Sequence, residues 1–221
     1  MQAWFFSVIL VELLDKFFPT PAFRLTNLQI INYPHLTLRH KSRPVRKVDR
    51  QLRDIVAEMF ELMYAAKGIG LAANQVDLPL QLFIINPSGE KGSGDEMVFV
   101  NPVVSAPRGR CEREEGCLSL PGLYANIFRP ESVHVAAWDL SGNVFDRRVD
   151  DMLARVIQHE NDHLEGVLFI DRMNDVDRKT MADELLELEM ELENKRLREM
   201  IPADSMIRQR LAELESQYCS G

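Results

Sequence analysis

Apolar positions in the first half of the chain recur with two different periods. In residues 49–66 (DRQLRDIVAEMFELMYAA), Leu52, Ile55, Val56, Met59, Phe60 and Met63 fall at i, i+3, i+4, i+7, i+8 and i+11, which is one face of a 3.6-residue helix. Asp49 stands at the N-cap position and Gly68 at the stop. Strand-like runs follow: QLFIIN (81–86), MVFVNPVV (97–104), ESVHVAAW (131–138) and VFDRRV (144–149), separated by Gly, Pro, Ser and Asn clusters. Helical spacing returns in VDDMLARVIQHENDHLEG (149–166), with Val149, Leu153, Val156 and Leu164 as its apolar stripe and Gly166 as its end. Strands and helices do not alternate regularly, so the pattern predicts an α+β fold. Mostly antiparallel sheets would pack around the 149–166 helix, with an N-terminal amphipathic helix at 49–66.

The two ends differ from this middle. Residues 175–200 lack Gly and Pro, and Met181, Leu185, Leu188 and Leu192 repeat at helical spacing. Pro202 interrupts the pattern, and a second amphipathic stretch (206–218) follows, so a helical C-terminal extension is expected over 173–221. Residues 3–14 (AWFFSVILVELL) are apolar but well short of the roughly 20 residues of a membrane span, and Glu12 interrupts them. No Lys or Arg precedes them, as a secretory signal requires. Residues 1–26 read as an extension, an organellar targeting role being the other reading, and 27–172 as the working domain.

Composition narrows the function classes. The 221 residues carry a net charge of −8 and 27% charged side chains, ordinary for a folded chain and unsuited to gripping nucleic acid through a bulk positive field. Three cysteines, Cys111, Cys117 and Cys219, cannot form a disulfide framework, which points to a reducing compartment.

The chemistry concentrates at His159, Glu160 and His163, an H-E-x-x-H pattern. Residues four apart on a helix stack about 6 Å apart at the backbone, so two imidazoles can share one cation while the adjacent Glu reaches a bound water. At 100° per residue Met152, Val156, His159 and His163 share one side of the helix. A catalytic site of this kind usually takes a third protein ligand. The longer zinc-protease pattern would place a histidine at 169, where the chain has Phe169. His40 and His134 have no ligand-like neighbours, and a downstream Glu remains open by spacing. The better candidate is Cys117 in EREEGCLSLPG (112–122), where Gly116, Ser119, Pro121 and Gly122 mark a fixed loop or strand edge. Cys111 and Cys219 have nothing comparable around them. The stretch KGIGLAANQV (67–76) follows a helix rather than a strand, so it is a poor nucleotide loop. Its glycines suit close approach of a backbone, and Gln75 offers a neutral amide donor for a developing oxyanion.

Three separated motifs, GIGLAANQ (68–75), EGCLS (115–119) and QHENDH (158–163), together closely resemble the peptide deformylase family, in that order and over about residues 28–172. The resemblance implies that Cys117, His159 and His163 bind one divalent metal with water as fourth ligand, Fe(II) in the cell, with Zn, Ni or Co able to replace it. It implies that Glu160 is the general base and then the acid, and that Gln75 and the Leu118 N–H hold the formyl oxygen. Ile69 and Gly70 would pair with the substrate backbone, and Met152 and Val156 would line an apolar pocket for methionine. The implied activity is hydrolysis of the N-formyl group of formyl-methionine on nascent polypeptides, in a bacterial cytoplasm or an organelle. Some relatives carry an Arg seven residues after the cysteine, where this chain has Tyr124, so Arg129 or Arg155 is expected to pair with Glu115. Some relatives associate with the ribosome through a basic C-terminal helix; residues 172–221 here carry a net charge of −4 and do not match that mode. The alternatives are an H-E-x-x-H metallopeptidase with a Glu ligand and a structural-metal binding module.

Overall fold

The computed structural model describes residues 28–219, so the expectations for residues 1–26 lie outside the described residues. Helix α1 spans Arg50–Ala65, capped by the Asp49 carboxylate, which accepts the Leu52 N–H at 3.0 Å. It buries the six apolar residues of its sequence stripe. Its C-terminus differs from the expectation at Gly68: the left-handed residue is Lys67 (φ 58°), and Gly68 is needed because a Cβ there would meet the Leu118 side chain at 2.6 Å.

Seven strands follow: β1 (Gly70–Ala72), β2 (Leu82–Ile85), β3 (Met97–Arg108), β4 (Cys111–Cys117), β5 (Leu120–Arg129), β6 (Ser132–Trp138) and β7 (Val144–Asp150). Five form an antiparallel sheet in the order β1-β2-β3-β6-β7, and β4 and β5 form a separate hairpin. The central strand β2 is buried on both faces: Leu82 and Ile84 face a core built with α1, and Phe83 and Ile85 face a core built with helix α2 (Asp151–Leu164). Each such side chain contributes roughly 1.5–3 kcal/mol through burial, so the sheet and the two helices stabilise one another. The α+β, mostly antiparallel architecture around the H-E-x-x-H helix is as expected.

Several boundaries differ. Helix α2 starts at Asp151, because Val149 is a strand residue paired with Val133 in β7 and not part of the helical stripe. At its other end Gly166 takes φ 74°, against the Arg39 carbonyl, where a Cβ would lie 2.6 Å from the oxygen. The 175–200 helix is two helices, α3 (Asp175–Thr180) and α4 (Ala182–Leu197), broken at Met181. Met181, Leu185 and Leu188 pack against the core under β5. Helix α5 (Asp204–Tyr218) buries Ile207, Leu211, Leu214 and Tyr218 at i, i+4, i+7 and i+11, the last two against the α1 core. Among the described residues no helix is long and apolar enough to cross a membrane.

Candidate active site

The hairpin β4–β5 and helix α2 face each other, and their alternation sets the site. Glu115 and Cys117 are two residues apart on β4, so both side chains leave the strand on the side toward α2. The register jumps from Gly116↔Tyr124 to Cys117↔Leu120, ending the hairpin in a tight Leu118–Ser119 turn with Cys117 at its rim. Helix α2 brings His159 and His163 to the same point. The donor atoms of Cys117, His159 and His163 all lie within 4.8 Å of one another, with Cys117 Sγ 3.2 Å from His163 Nε2. Metal bonds of about 2.1 Å to nitrogen and 2.3 Å to sulfur put tetrahedral ligands roughly 3.5 Å apart, so this donor set fits one transition-metal ion.

A second layer fixes these side chains. His159 donates from Nδ1 to Glu115 Oε2 at 3.1 Å, leaving Nε2 for the cluster. Glu115 is held bidentately by Arg129 (2.6 and 2.8 Å) and also by Arg155 at 2.5 Å, so both of the expected arginines pair with it. Arg129 continues to Asp162 at 2.7 Å, and Asp162 to Arg172 at 2.5 Å. Burial alone would raise the Glu115 carboxyl, but hydrogen bonds from His159 and Arg129 outweigh it and hold it down at about 2. Burial opposes a charged His159, yet its bonds to Cys117 and Glu115 prevail and push it up to about 10; the surroundings favour positive charge at this point, which a cation also supplies. Burial drives His163 well below the usual 6.5, keeping it in the neutral form that ligates.

Glu160 is buried, and burial lifts its carboxyl to about 7. Its Oε2 is buried with no partner among the described residues, as is Nδ1 of His163. An unsatisfied buried carboxylate oxygen beside a donor cluster is expensive to keep, and is a mark of a reactive site. Gln75 sits in a 3-10 turn, Ala73–Val76. Its Oε1 accepts the Ala72 N–H at 2.8 Å, which turns Nε2 toward Cys117 Sγ (3.4 Å) and Ser119 Oγ (3.2 Å). The amide orientation follows from these partners.

A cavity of about 710 Å³ opens over this cluster and is lined by Gln75, Leu118, Tyr124, Met152, Val156 and Glu160, among others. Val156 is 6% exposed and Met152 45%, so the first forms the cavity floor and the second its rim. Strand β1 borders the cavity as the edge of the five-stranded sheet. The Ile69 carbonyl already accepts the Asn86 N–H at 3.0 Å. Gly70 is therefore the residue of that pair whose N–H and C=O point away from β2 and stand free along the edge. Gly70 has no room for a side chain: a Cβ would meet Glu160 Oε1 at 2.4 Å.

The remaining residues singled out by sequence lie apart. His40 pairs with Glu215 (2.7 Å) and His134 with Asp146 (3.0 Å), both away from the cluster. Phe169 is buried with its ring centroid 6.4 Å from that of His159, packing where the longer protease motif has a ligand. Cys219 is a buried thiol that burial pushes up to about 11, and Cys111 lies at the far end of β4. Tyr124 lies across Gly116, whose Cβ would be 2.6 Å from its ring. Sequence reasoning missed Asn74, whose side-chain amide donates to the His163 carbonyl, and Ser119, although both lie inside the recognised motifs.

Comparison with known proteins agrees with this geometry. The family described as polypeptide deformylase matches residues 27–179. The peptide deformylase of Rhodopirellula baltica is 42% identical over 194 residues, covering 88% of this chain and 96% of that protein. The chloroplastic/mitochondrial peptide deformylase 1B of Arabidopsis thaliana is 44% identical over 77% of this chain and 63% of that longer protein. Among solved structures, a plant peptide deformylase superposes with a TM-score of 0.76 at 43% identity, covering 81% of this chain and 96% of that one. In sequence, in fold and in its Cys–His cluster beside a buried glutamate, the chain belongs to the peptide deformylase family, metal-dependent hydrolases that remove the N-formyl group from newly made polypeptides.

Proposed function

We propose that Cys117, His159 and His163 hold one divalent cation, and that Glu160, Gln75 and the Leu118 N–H carry deformylation at that point. The observation that supports this most is the convergence, over one cavity, of three donor atoms within 4.8 Å, the Gln75 Nε2 aimed at Cys117, and an unpartnered Glu160 Oε2. When bound, the cation supplies Lewis acidity and an ionised water at neutral pH. Glu160, already lifted toward neutrality by burial, takes a proton at its free carboxylate oxygen and returns it to the leaving amine. Gln75 Nε2 and the Leu118 N–H donate to the formyl oxygen as it gains charge; one such donor is worth about 3 kcal/mol, roughly two orders of magnitude in rate.

The substrate reads as an extended formyl-methionyl chain. Its backbone adds to the free edge at Gly70, and its methionine side chain enters the apolar part of the cavity at Val156 and Met152. The Ile69 carbonyl is taken by the Asn86 N–H, so in this reading the pairing with the substrate backbone falls to Gly70. The cation is ferrous iron in this reading; zinc, nickel and cobalt suit the same donors. An alignment to the Rhodopirellula baltica enzyme that runs over 88% of this chain and 96% of that protein supports a bacterial cytoplasmic setting, where any transient ribosome contact would use a surface other than the acidic C-terminal helices.

The test is product analysis with metal-loaded protein and a formyl-methionyl tripeptide. Formate and the intact free-amine tripeptide are expected. Cleavage between the amino acids would instead support a metallopeptidase, and no reaction with a tightly held, four-ligand metal would support a structural site.

A further inference from the structure

The turn that carries Gln75 is held from outside the cavity. Ala73–Val76 is a single 3-10 turn, and such short pieces owe their shape to their neighbours. On the cavity side, Asn74 donates to the His163 carbonyl and Gln75 to Cys117 and Ser119. On the far side, the chain leaves through Asp77, a non-glycine residue at φ 65° and ψ 32°. A left-handed residue of this kind persists where its surroundings fix it, and here three contacts from two side chains do. The Thr37 hydroxyl donates to the Asp77 carboxylate, Arg210 pairs with that carboxylate, and the Arg210 guanidinium also reaches the Asp77 carbonyl at 3.4 Å.

Arg210 lies in the middle of α5, beyond residue 179 where the family match ends. Ile207, Leu211 and Leu214 bury the neighbouring face of the helix, so the guanidinium is carried on a docked element and not on a loose tail. The pair is mostly shielded, with side chains 18% and 28% exposed for Asp77 and Arg210, which sets it apart from a screened surface pair.

From this chain of contacts we infer that Arg210 is a positioning residue for Gln75. By gripping Asp77 it fixes where the 73–76 turn ends, and so where Gln75 Nε2 points relative to Cys117 Sγ. The inference rests on the role proposed for Gln75. It makes α5 part of the scaffold of the active site.

The test is steady-state kinetics on the full-length, metal-loaded enzyme with a formyl-methionyl tripeptide. Arg210→Met is expected to lower kcat about tenfold with KM within twofold, since a small misplacement of a catalytic group acts on the chemical step. Asp77→Asn, which tolerates the left-handed backbone, should lower kcat similarly, and the double variant should go no lower. Arg210→Lys should recover part of the loss. In a Gln75→Ala background, Arg210→Met should change kcat by less than about twofold. Glu215→Gln, which removes the ion pairs of α5 to His40 and Arg43, should leave kcat as it is. A wild-type kcat for Arg210→Met beside a slow Gln75→Ala overturns this inference alone. A wild-type kcat for Gln75→Ala overturns the reading of Gln75 itself. An undiminished loss from Arg210→Met in the Gln75→Ala background would show that α5 acts through general loosening, which also overturns it. If Arg210→Met does not fold, Asp77→Asn and Arg210→Lys carry the same comparison.

Discussion

His159 donates from Nδ1 to Glu115 Oε2 at 3.1 Å, and this one contact decides which nitrogen of the ring faces Cys117. The carboxylate is held in turn by Arg129 from β5 and by Arg155 from α2 itself. Helix and hairpin are therefore locked at the level of the donor cluster.

Glu115→Gln keeps an acceptor for His159 but removes the charge that Arg129 and Arg155 surround. Metal affinity is expected to fall 10- to 100-fold, roughly the usual cost of losing such an outer partner, as read by competition with a chelator. Stability should fall by about 3 kcal/mol, the lower end for a broken buried pair, because Arg129 keeps Asp162. Unchanged metal affinity would remove Glu115 from the account.

Gly70→Ala places a methyl group 2.4 Å from Glu160 Oε1 and 2.9 Å from Val156 Cγ1. Both neighbours are buried, so the carboxylate must shift. A fall in kcat of at least about tenfold is expected, with metal content retained. Wild-type kcat would mean that Glu160 has more freedom than its packing implies.

Val156→Phe fills the floor of the cavity beside His159. The expected result is a higher KM for formyl-methionyl peptides, with a smaller change for substrates bearing a smaller first side chain. An unchanged KM would place the methionine elsewhere.

The Asp49 cap gives a pH test of stability away from the chemistry. The Leu52 N–H bond, more than any other factor, holds the Asp49 carboxyl below its ordinary 3.8. The folded state thus favours the charged form, so the cap is at full strength above about pH 4–5. Its contribution is lost as pH falls through the lowered folded value. Asp49→Ala should cost about 1 kcal/mol at pH 7, and its gap from wild type should shrink toward pH 3 in denaturant titrations. Asp49→Asn, also a good cap, should show little change at pH 7. A gap independent of pH would mean that the carboxylate is not what caps α1.

What was legible in the sequence follows periodicity and motif. The stripe from Leu52 to Met63 has one solution, and α1 adopts it. The pairing of Glu115 with an arginine was expected, but not that Arg129 and Arg155 both take part, because nothing local marks two residues 26 positions apart as neighbours. Strands β4 and β5 are hard to read as full strands for a physical reason: EREE places charges on a strand that mostly meets water, and on its side toward α2 Arg113 stays exposed while Glu115 is buried. Val149 closes the 144–149 strand run and opens the 149–166 helical stripe, because its apolar character suits either element; the ladder to Val133 decides it. The break at Met181 has no sequence mark either, since Met favours helix and neither Gly nor Pro stands nearby.

The most direct measurement is formate release from a formyl-methionyl tripeptide by the metal-loaded protein, with wild type and Glu160→Gln in parallel. Glutamine preserves the shape of the buried side chain while removing its capacity to take a proton. The account predicts formate from wild type and a fall of about 10²- to 10⁴-fold in Glu160→Gln, with metal content and thermal stability maintained. Equal rates from the two proteins, or no formate from a metal-loaded wild type, would contradict it.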